Sequence, residues 1–147
     1  MVPFIALIVS WIVFRAAGYA GLSYFDDWFV SLQAAAVIML LLSASAHWGT
    51  RRPDLIRMVP PAIPAKGAIV TVTGLLEIAG AIGLLIPAVS LAAAIALTTL
   101  LIAMFPANHY AAKRRLTIGG KPVPSLPVRA VLQLVFIAAI LLPPTIL

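Results

Sequence analysis

The sequence predicts an all-α integral membrane protein, a bundle of five transmembrane helices with the N-terminus inside and the C-terminus outside. Three observations predict it. The 147 residues are 63% hydrophobic and 10% charged, against roughly 45–50% and about 25% in a soluble domain. The apolar residues fall into five runs, each near the roughly 20 helical residues that cross a ~30 Å hydrocarbon core. The basic residues gather in alternate loops, as they do where positive charge stays on the cytoplasmic side.

The same composition excludes several classes. A mean hydropathy of +1.14 does not suit a water-soluble fold of this size, which leaves much of its chain at the surface. Lipid admits only helices or closed barrels, and the runs are too long and continuous for barrel strands. A net charge of +6 and a pI near 10.6 would suggest nucleic acid in a soluble chain. Here the cations flank apolar runs, so the expected partners are anionic lipid headgroups and not nucleic acid. The absence of cysteine excludes disulfides, thiolate metal sites and dithiol chemistry carried by this chain.

Each span has a physical beginning and end. The first runs from about Val2 to Leu22, and Gly21 with Tyr24-Phe25-Asp26-Asp27 ends it. Its stretch before Arg15 has the length of a signal-peptide core, and Gly18-Tyr19-Ala20 loosely resembles a cleavage site. No basic residue precedes it, so a retained span is the expectation. The second runs from Trp28 to about Trp48 and stops at Arg51-Arg52-Pro53-Asp54. The third, Gly67 to Ile86, and the fourth, Ala88 to Phe105, meet at Pro87, because proline removes a backbone donor and clashes with the preceding turn. Pro106 is expected to close the fourth. Gly119-Gly120 with Pro122, Pro124 and Pro127 make the last loop irregular, and the fifth span runs from about Val128 to Leu147. One domain over 1–147 is the economical reading.

Charge orients the bundle. Arg51, Arg52, Arg57 and Lys66 against Asp54 give residues 49–66 a net +3, and Lys113, Arg114, Arg115 and Lys121 give residues 107–127 a net +4. The alternate connections hold Asp26 and Asp27, or no charge at all around Pro87. With five spans both basic loops fall on one side, which the positive-inside rule makes cytoplasmic.

Two charges lie inside spans, where each costs at least about 2.5–3.5 kcal/mol unless it faces protein or water. At 1.5 Å per residue Arg15 sits roughly 10 Å, and Glu77 roughly 14 Å, below the outer surface. An arginine side chain covers that offset, so Arg15 and Glu77 are expected to pair. The bland alternatives are a purely structural bridge, or Arg15 turning outward to Asp26 or Asp27. Trp11 and Tyr19, four residues either side of Arg15, are placed to flank its guanidinium. Thr73, Gly74, Gly80 and Ala81 share the Glu77 face, the pattern of a close helix seam that also leaves room for a polar side chain.

A second polar cluster is expected at the inner end: Ser43 with His47, Arg129 with Gln133, and Asn108 with His109. The segment Arg57-Met58-Val59-Pro60-Pro61-Ala62-Ile63-Pro64 reads as an interfacial linker, with a lid formed by Pro60, Pro61 and Pro64 as the sharper alternative. Two histidines, with Glu77 remote from them along the span, fall short of the three or four ligands of a zinc site, so no metal is expected. No phosphate loop, nucleophile elbow or metalloprotease motif occurs, which argues against a stand-alone enzyme.

The ordered series His47-Trp48, Met58 to Pro64, Thr73-Gly74-Leu75-Leu76-Glu77-Ile78-Ala79-Gly80, Gly83-Leu84-Leu85-Ile86-Pro87, Phe105-Pro106-Ala107-Asn108, Arg129 and Gln133 resembles the DoxX-like family of small bacterial membrane proteins. The resemblance covers about residues 30–140. It implies a four-helix core with an added N-terminal helix, in the bacterial cytoplasmic membrane. Trp48 stands where the family often has Phe. Relatives are linked to respiratory or redox complexes, and Glu77, His47, Asn108 and Arg129 match the family pattern. Three functions follow as expectations. The first is a redox-accessory or binding subunit holding a quinone, isoprenoid or other lipid, with Glu77, Arg15, His47, Asn108, Arg129 and Gln133 as site candidates and no cofactor required by the sequence. The second is a scaffold for a larger membrane complex. The third, a small transporter or proton pathway, rests only on the intramembrane charges, because the paired broken helices typical of transporters are missing.

Overall fold

A computed structural model describes residues 1–146; Leu147, the expected end of the last span, lies outside the described residues. The chain forms six α-helices and one short hairpin: α1 (Val2–Tyr19), α2 (Trp28–Ser45), α3 (Arg52–Met58), α4 (Lys66–Leu84), α5 (Ser90–Lys113), β1 (Thr117–Ile118), β2 (Lys121–Pro122) and α6 (Leu126–Ile146). Five of the helices, all but α3, are long and apolar enough to cross a membrane.

Local chemistry explains the ends. Pro3, Pro53 and Pro127 each sit in a first helical turn, where no intrahelical donor is lost. Asp27 caps α2, its Oδ1 accepting from the N–H groups of Phe29 at 2.7 Å and Val30 at 3.0 Å, which satisfies two otherwise free donors. Gly119 and Gly120 have φ of +58° and +75°, the left-handed pair that a two-residue hairpin turn requires.

Two expectations about the loops change. Pro106 does not close the fourth span; α5 continues through it to Lys113. Proline costs one backbone hydrogen bond and tends to kink the helix, and neighbouring groups in a membrane bundle make that tolerable. Asn108 and His109 are therefore helical residues. The two basic loops are also more ordered than their prolines and glycines suggest, since one carries α3 and the other the hairpin. They are joined, because the Asp54 Oδ2 accepts from Gly119 N–H at 2.7 Å. Both loops thus occupy the same end of the bundle.

α2, α4, α5 and α6 close a ring in which each packs on its two neighbours, and α1 lies against α2. The core is small and aliphatic: Ala36, Leu40, Ala81, Leu84, Leu97 and Ile140 are almost fully buried. Large apolar side chains such as Ile12, Leu75, Ile95 and Leu134 point outward, the inversion expected where lipid replaces water. The glycines of α4 set the spacing. A Cβ on Gly80 would lie 2.4 Å from Leu97 of α5, and one on Gly83 would lie 2.8 Å from Ala93. The small-residue face is a seam between helices, because backbones approach only where side chains are absent.

The closest approach to main chain is near the other end of the chain. A Cβ on Gly18 would stand 2.5 Å from the Phe25 carbonyl oxygen and 2.8 Å from its carbon, and backbone cannot step aside as a side-chain tip can. Gly18→Ala is expected to destabilise the protein by about 1–3 kcal/mol, read as a lower melting temperature in detergent micelles. An unchanged melting point would show that α1 is free to move off the turn.

Candidate functional site

Polar groups inside the bundle collect at three levels. At one end of the bundle Arg15 is buried against the turn that joins α1 to α2. Its Nη1 donates to the main-chain oxygens of Phe25 at 2.7 Å and Asp26 at 2.6 Å. The guanidinium lies 4.8 Å from the Tyr19 ring centroid and 5.0 Å from that of Trp28, within cation–π range. Ser31 donates to the same Phe25 oxygen at 3.0 Å.

This corrects the expected Arg15–Glu77 pair, and the alternative with the Asp26 or Asp27 carboxylates as well. Depth along the span was compatible with pairing, but direction was not: Arg15 faces the turn and α2, whereas Glu77 belongs to α4. Main-chain carbonyls at the turn, left without intrahelical donors, take the guanidinium instead. Tyr19 flanks it as expected. Trp28 takes the place expected of Trp11, which packs on Trp28 at 5.1 Å. The one ion pair among the described residues is Arg57 with Asp54 on α3.

At the middle level stands Glu77, 2% exposed. Val70, Gly74, Glu77, Ala81 and Leu84 are the buried residues of α4, and their alternating spacing of four and three puts them on one stripe. The carboxyl group is therefore built into the core seam. Its Oε2 has no hydrogen-bonding partner.

His47 packs on α4 at Gly74, three residues before Glu77. A Cβ on Gly74 would lie 2.7 Å from the His47 ring and 2.8 Å from Trp48. His47 lies just beyond the end of α2 and is 4% exposed. Its Nδ1 is 3.2 Å from the Ala44 oxygen; since a carbonyl only accepts, Nδ1 carries the proton. Burial, helped by the nearby Arg52 charge, pulls the His47 imidazole below the ordinary histidine range.

The end of the bundle that carries the basic loops has two ties. Arg52 of α3 donates to the His47 oxygen at 2.7 Å, the Gly67 oxygen at 3.0 Å and Thr71 Oγ1 at 2.9 Å, joining the end of α2 to the start of α4. Neither Arg52 nor Thr71 stood out in the sequence; a basic residue in a loop of like charges gives no sign that it points inward. Gln33 was missed for a similar reason, and its Nε2 donates to the Leu84 oxygen at 2.8 Å, closing the opposite end of the same seam.

The second tie joins α5 to α6. Arg129 donates to Asn108 Oδ1, and Asn108 Nδ2 donates to Gln133 Oε1 at 3.3 Å. These three candidates come together as expected, while His109 is exposed. Among the described residues no three His, Asp or Glu side chains gather. Pro61 and Pro64 face outward and Pro60 is half-buried; the part of that loop pressed into the protein is Met58-Val59. An apolar groove of about 410 Å³ runs between α4 and α5, lined by Leu76, Ala79, Gly80, Ala93, Ala96 and Leu97 among others. Its walls include the residues on either side of Glu77 along α4, although Glu77 itself faces the core.

The Asn108 tie makes a stability prediction. Asn108→Ala leaves the half-buried Arg129 without its acceptor, and an unmet buried donor costs about 1–3 kcal/mol. The expected result is a lower melting temperature in detergent that Asn108→Asp, which keeps an acceptor, largely restores.

Comparison with known proteins adds a family and no activity. No curated protein and no solved structure matches the chain. One family model matches, described as a domain of unknown function (DUF8561), over residues 36–144. That segment holds α2 from Ala36 onward, α3, α4, α5, the hairpin and α6 as far as Pro144, and it leaves α1 with Arg15 outside. Because the match covers about three quarters of the sequence, this chain belongs to the DUF8561 family.

Proposed function

We propose that the chain is a binding subunit of the bacterial cytoplasmic membrane that holds an amphiphile with a hydrogen-bonding head, of the quinone or isoprenoid-lipid class, against Glu77. The observation that carries this reading is the Glu77 carboxyl group, 2% exposed in the core seam with Oε2 unpartnered. A carboxylate within a span is costly, and an unmet buried acceptor costs about 1–3 kcal/mol. The stable conditions are a proton on the group or a guest that hydrogen-bonds it. A neutral guest meets that need with a hydroxyl head that donates to the carboxylate, or with a carbonyl head that accepts from the protonated acid, and its tail suits the apolar groove between α4 and α5. The DoxX-like resemblance, with its redox-linked membrane subunits, supports the same class.

In this reading the N-terminus is inside. The basic loops share one end of the bundle, which supports a cytoplasmic face resting on anionic headgroups. Arg15 belongs to the frame and not to the site. A scaffold for a larger membrane complex is the second reading, favoured by the same groove, because its Gly80, Ala93 and Ala96 lining would also admit a partner helix.

The test is native mass spectrometry of the protein purified in mild detergent, with extraction of bound lipid. The wild type is expected to retain one quinone or isoprenoid species, and Glu77→Gln to lose it by about tenfold or more, as fits loss of one strong hydrogen bond. A wild-type mass with bulk phospholipid alone, or equal retention by the variant, overturns the binding reading.

A further inference from the structure

We propose that Arg15 and Trp11 of α1, with Asp26 of the following turn, form a headgroup site for a zwitterionic phospholipid, one that carries an ammonium group beyond its phosphate. The site shares no residue with the Glu77 seam, and it stands whatever that seam holds.

The guanidinium carries the inference. Arg15 is 8% exposed, yet no carboxylate pairs with it among the described residues. Its Nη1 is committed to the main-chain oxygens of Phe25 and Asp26, which bear no net charge. Its Nε is buried without an acceptor. A cation within a span ordinarily meets a counter-charge or water. A second donor stands one turn away on the same face of α1, because the Trp11 indole N–H is also buried and unpartnered. Both side chains pack on Trp28, whose ring centroid lies 5.0 Å from the guanidinium and 5.1 Å from the Trp11 ring. Trp28 is itself exposed, so one ring swinging outward uncovers both donors.

Spacing selects the ligand. α1 ends at Tyr19, so Arg15 is about 6 Å and Trp11 about 12 Å from that end at 1.5 Å per residue. The first depth suits a phosphate, whose oxygens accept strongly from a guanidinium. The second suits a glycerol ester carbonyl, which lies deeper than the phosphate of the same lipid and accepts from an indole N–H. Ile8 and Ile12, three residues before Trp11 and Arg15, are exposed and give the acyl chains an apolar flank. Tyr19 and Trp28, the rings beside the guanidinium, are of the kind that collects at headgroup level. Inorganic phosphate would use the Arg15 contact alone.

Charge narrows the choice. Asp26 and Asp27 are both exposed beside this site. Asp27 caps α2, and the main-chain oxygen of Asp26, not its carboxylate, meets Arg15. An anionic headgroup would bring its negative charge against these two acids. An ammonium beyond the phosphate meets Asp26 instead, so a zwitterion matches the site at both of its charges.

The experiment is native mass spectrometry of the full chain in mild detergent, titrated with phosphatidylethanolamine, phosphatidylglycerol or inorganic phosphate. The wild type is expected to bind one phosphatidylethanolamine about tenfold more tightly than phosphatidylglycerol, the scale of one hydrogen bond to a charged group. Asp26→Asn leaves the main-chain oxygen at Arg15 in place and is expected to erase that preference. Trp11→Phe keeps a ring and removes the N–H, and it is expected to weaken phosphatidylethanolamine about threefold or more, as fits one neutral hydrogen bond. Arg15→Gln is expected to weaken it about tenfold or more; the other two variants keep the test decisive if this one fails to fold. Equal binding of the two lipids by the wild type overturns the site, as does a preference that survives Asp26→Asn or full affinity in Trp11→Phe. Inorganic phosphate bound as tightly as the lipid overturns it too, since Arg15 would then take any phosphate.

Discussion

The antiparallel seam between α2 and α4 is the contact on which the other features of this protein depend. Gln33 closes one end on the Leu84 carbonyl, and Arg52 closes the other on His47, Gly67 and Thr71. Between these ties the two helices pack closely, and the buried Gly74 and Ala81 of α4 are small. Close approach is what buries Glu77. A wider seam, with a side chain at Gly74, would push His47 and Trp48 away and open the middle of the bundle.

Membrane-spanning polar groups make this seam informative, since hydrocarbon offers them no hydrogen bonds and protein must supply them. Arg15 shows the ordinary solution. It ends against a turn whose carbonyls need donors, between two aromatic rings, and fixes α1 to α2 without any carboxylate. The Asn108, Arg129 and Gln133 tie is a second example, holding α5 to α6 just past the proline in α5. Glu77 differs in degree: Arg15 and Arg129 each also leave a buried Nε unpartnered, but each donates through a terminal nitrogen to a protein oxygen, whereas Glu77 is a lone acid whose Oε2 has no partner and which no cation pairs with among the described residues.

The end that carries the basic loops is organised in the same economical way. Asp54 pairs with Arg57 and accepts from Gly119, so one carboxylate links α3 to the hairpin across 65 residues of sequence. The basic side chains around it, among them Arg51, Arg114 and Lys121, remain exposed. The acid that would neutralise them is already engaged. The result is one continuous basic surface and not two independent loops, although the sequence shows only two charge clusters.

The number and type of the spanning elements were legible in the sequence, because hydrophobic length is a one-dimensional property and about 20 apolar residues have few fates other than a helix in lipid. Boundaries were less legible. Pro106 reads as a stop, but whether a lost hydrogen bond ends a helix depends on the neighbours that surround it. Site residues divide along the same line. Asn108, Arg129 and Gln133 were recognised and do meet, and Glu77 was recognised as a charge that needs an explanation. Its partner was not, since depth follows from counting residues, whereas the direction of a side chain follows from which helices touch. Gln33, Arg52 and Thr71 carry no mark in the sequence, for polar residues at span ends are common and only packing turns one inward. The sequence by itself determined that five apolar helices form and that their basic ends cluster. The tertiary structure alone decided that Arg15 goes to the turn, that His47 meets Gly74, and that Glu77 is left in the core with an unpartnered oxygen. The physical reason is that hydrophobicity and charge act segment by segment, while partnership depends on the rotation of each helix about its own axis, which packing sets.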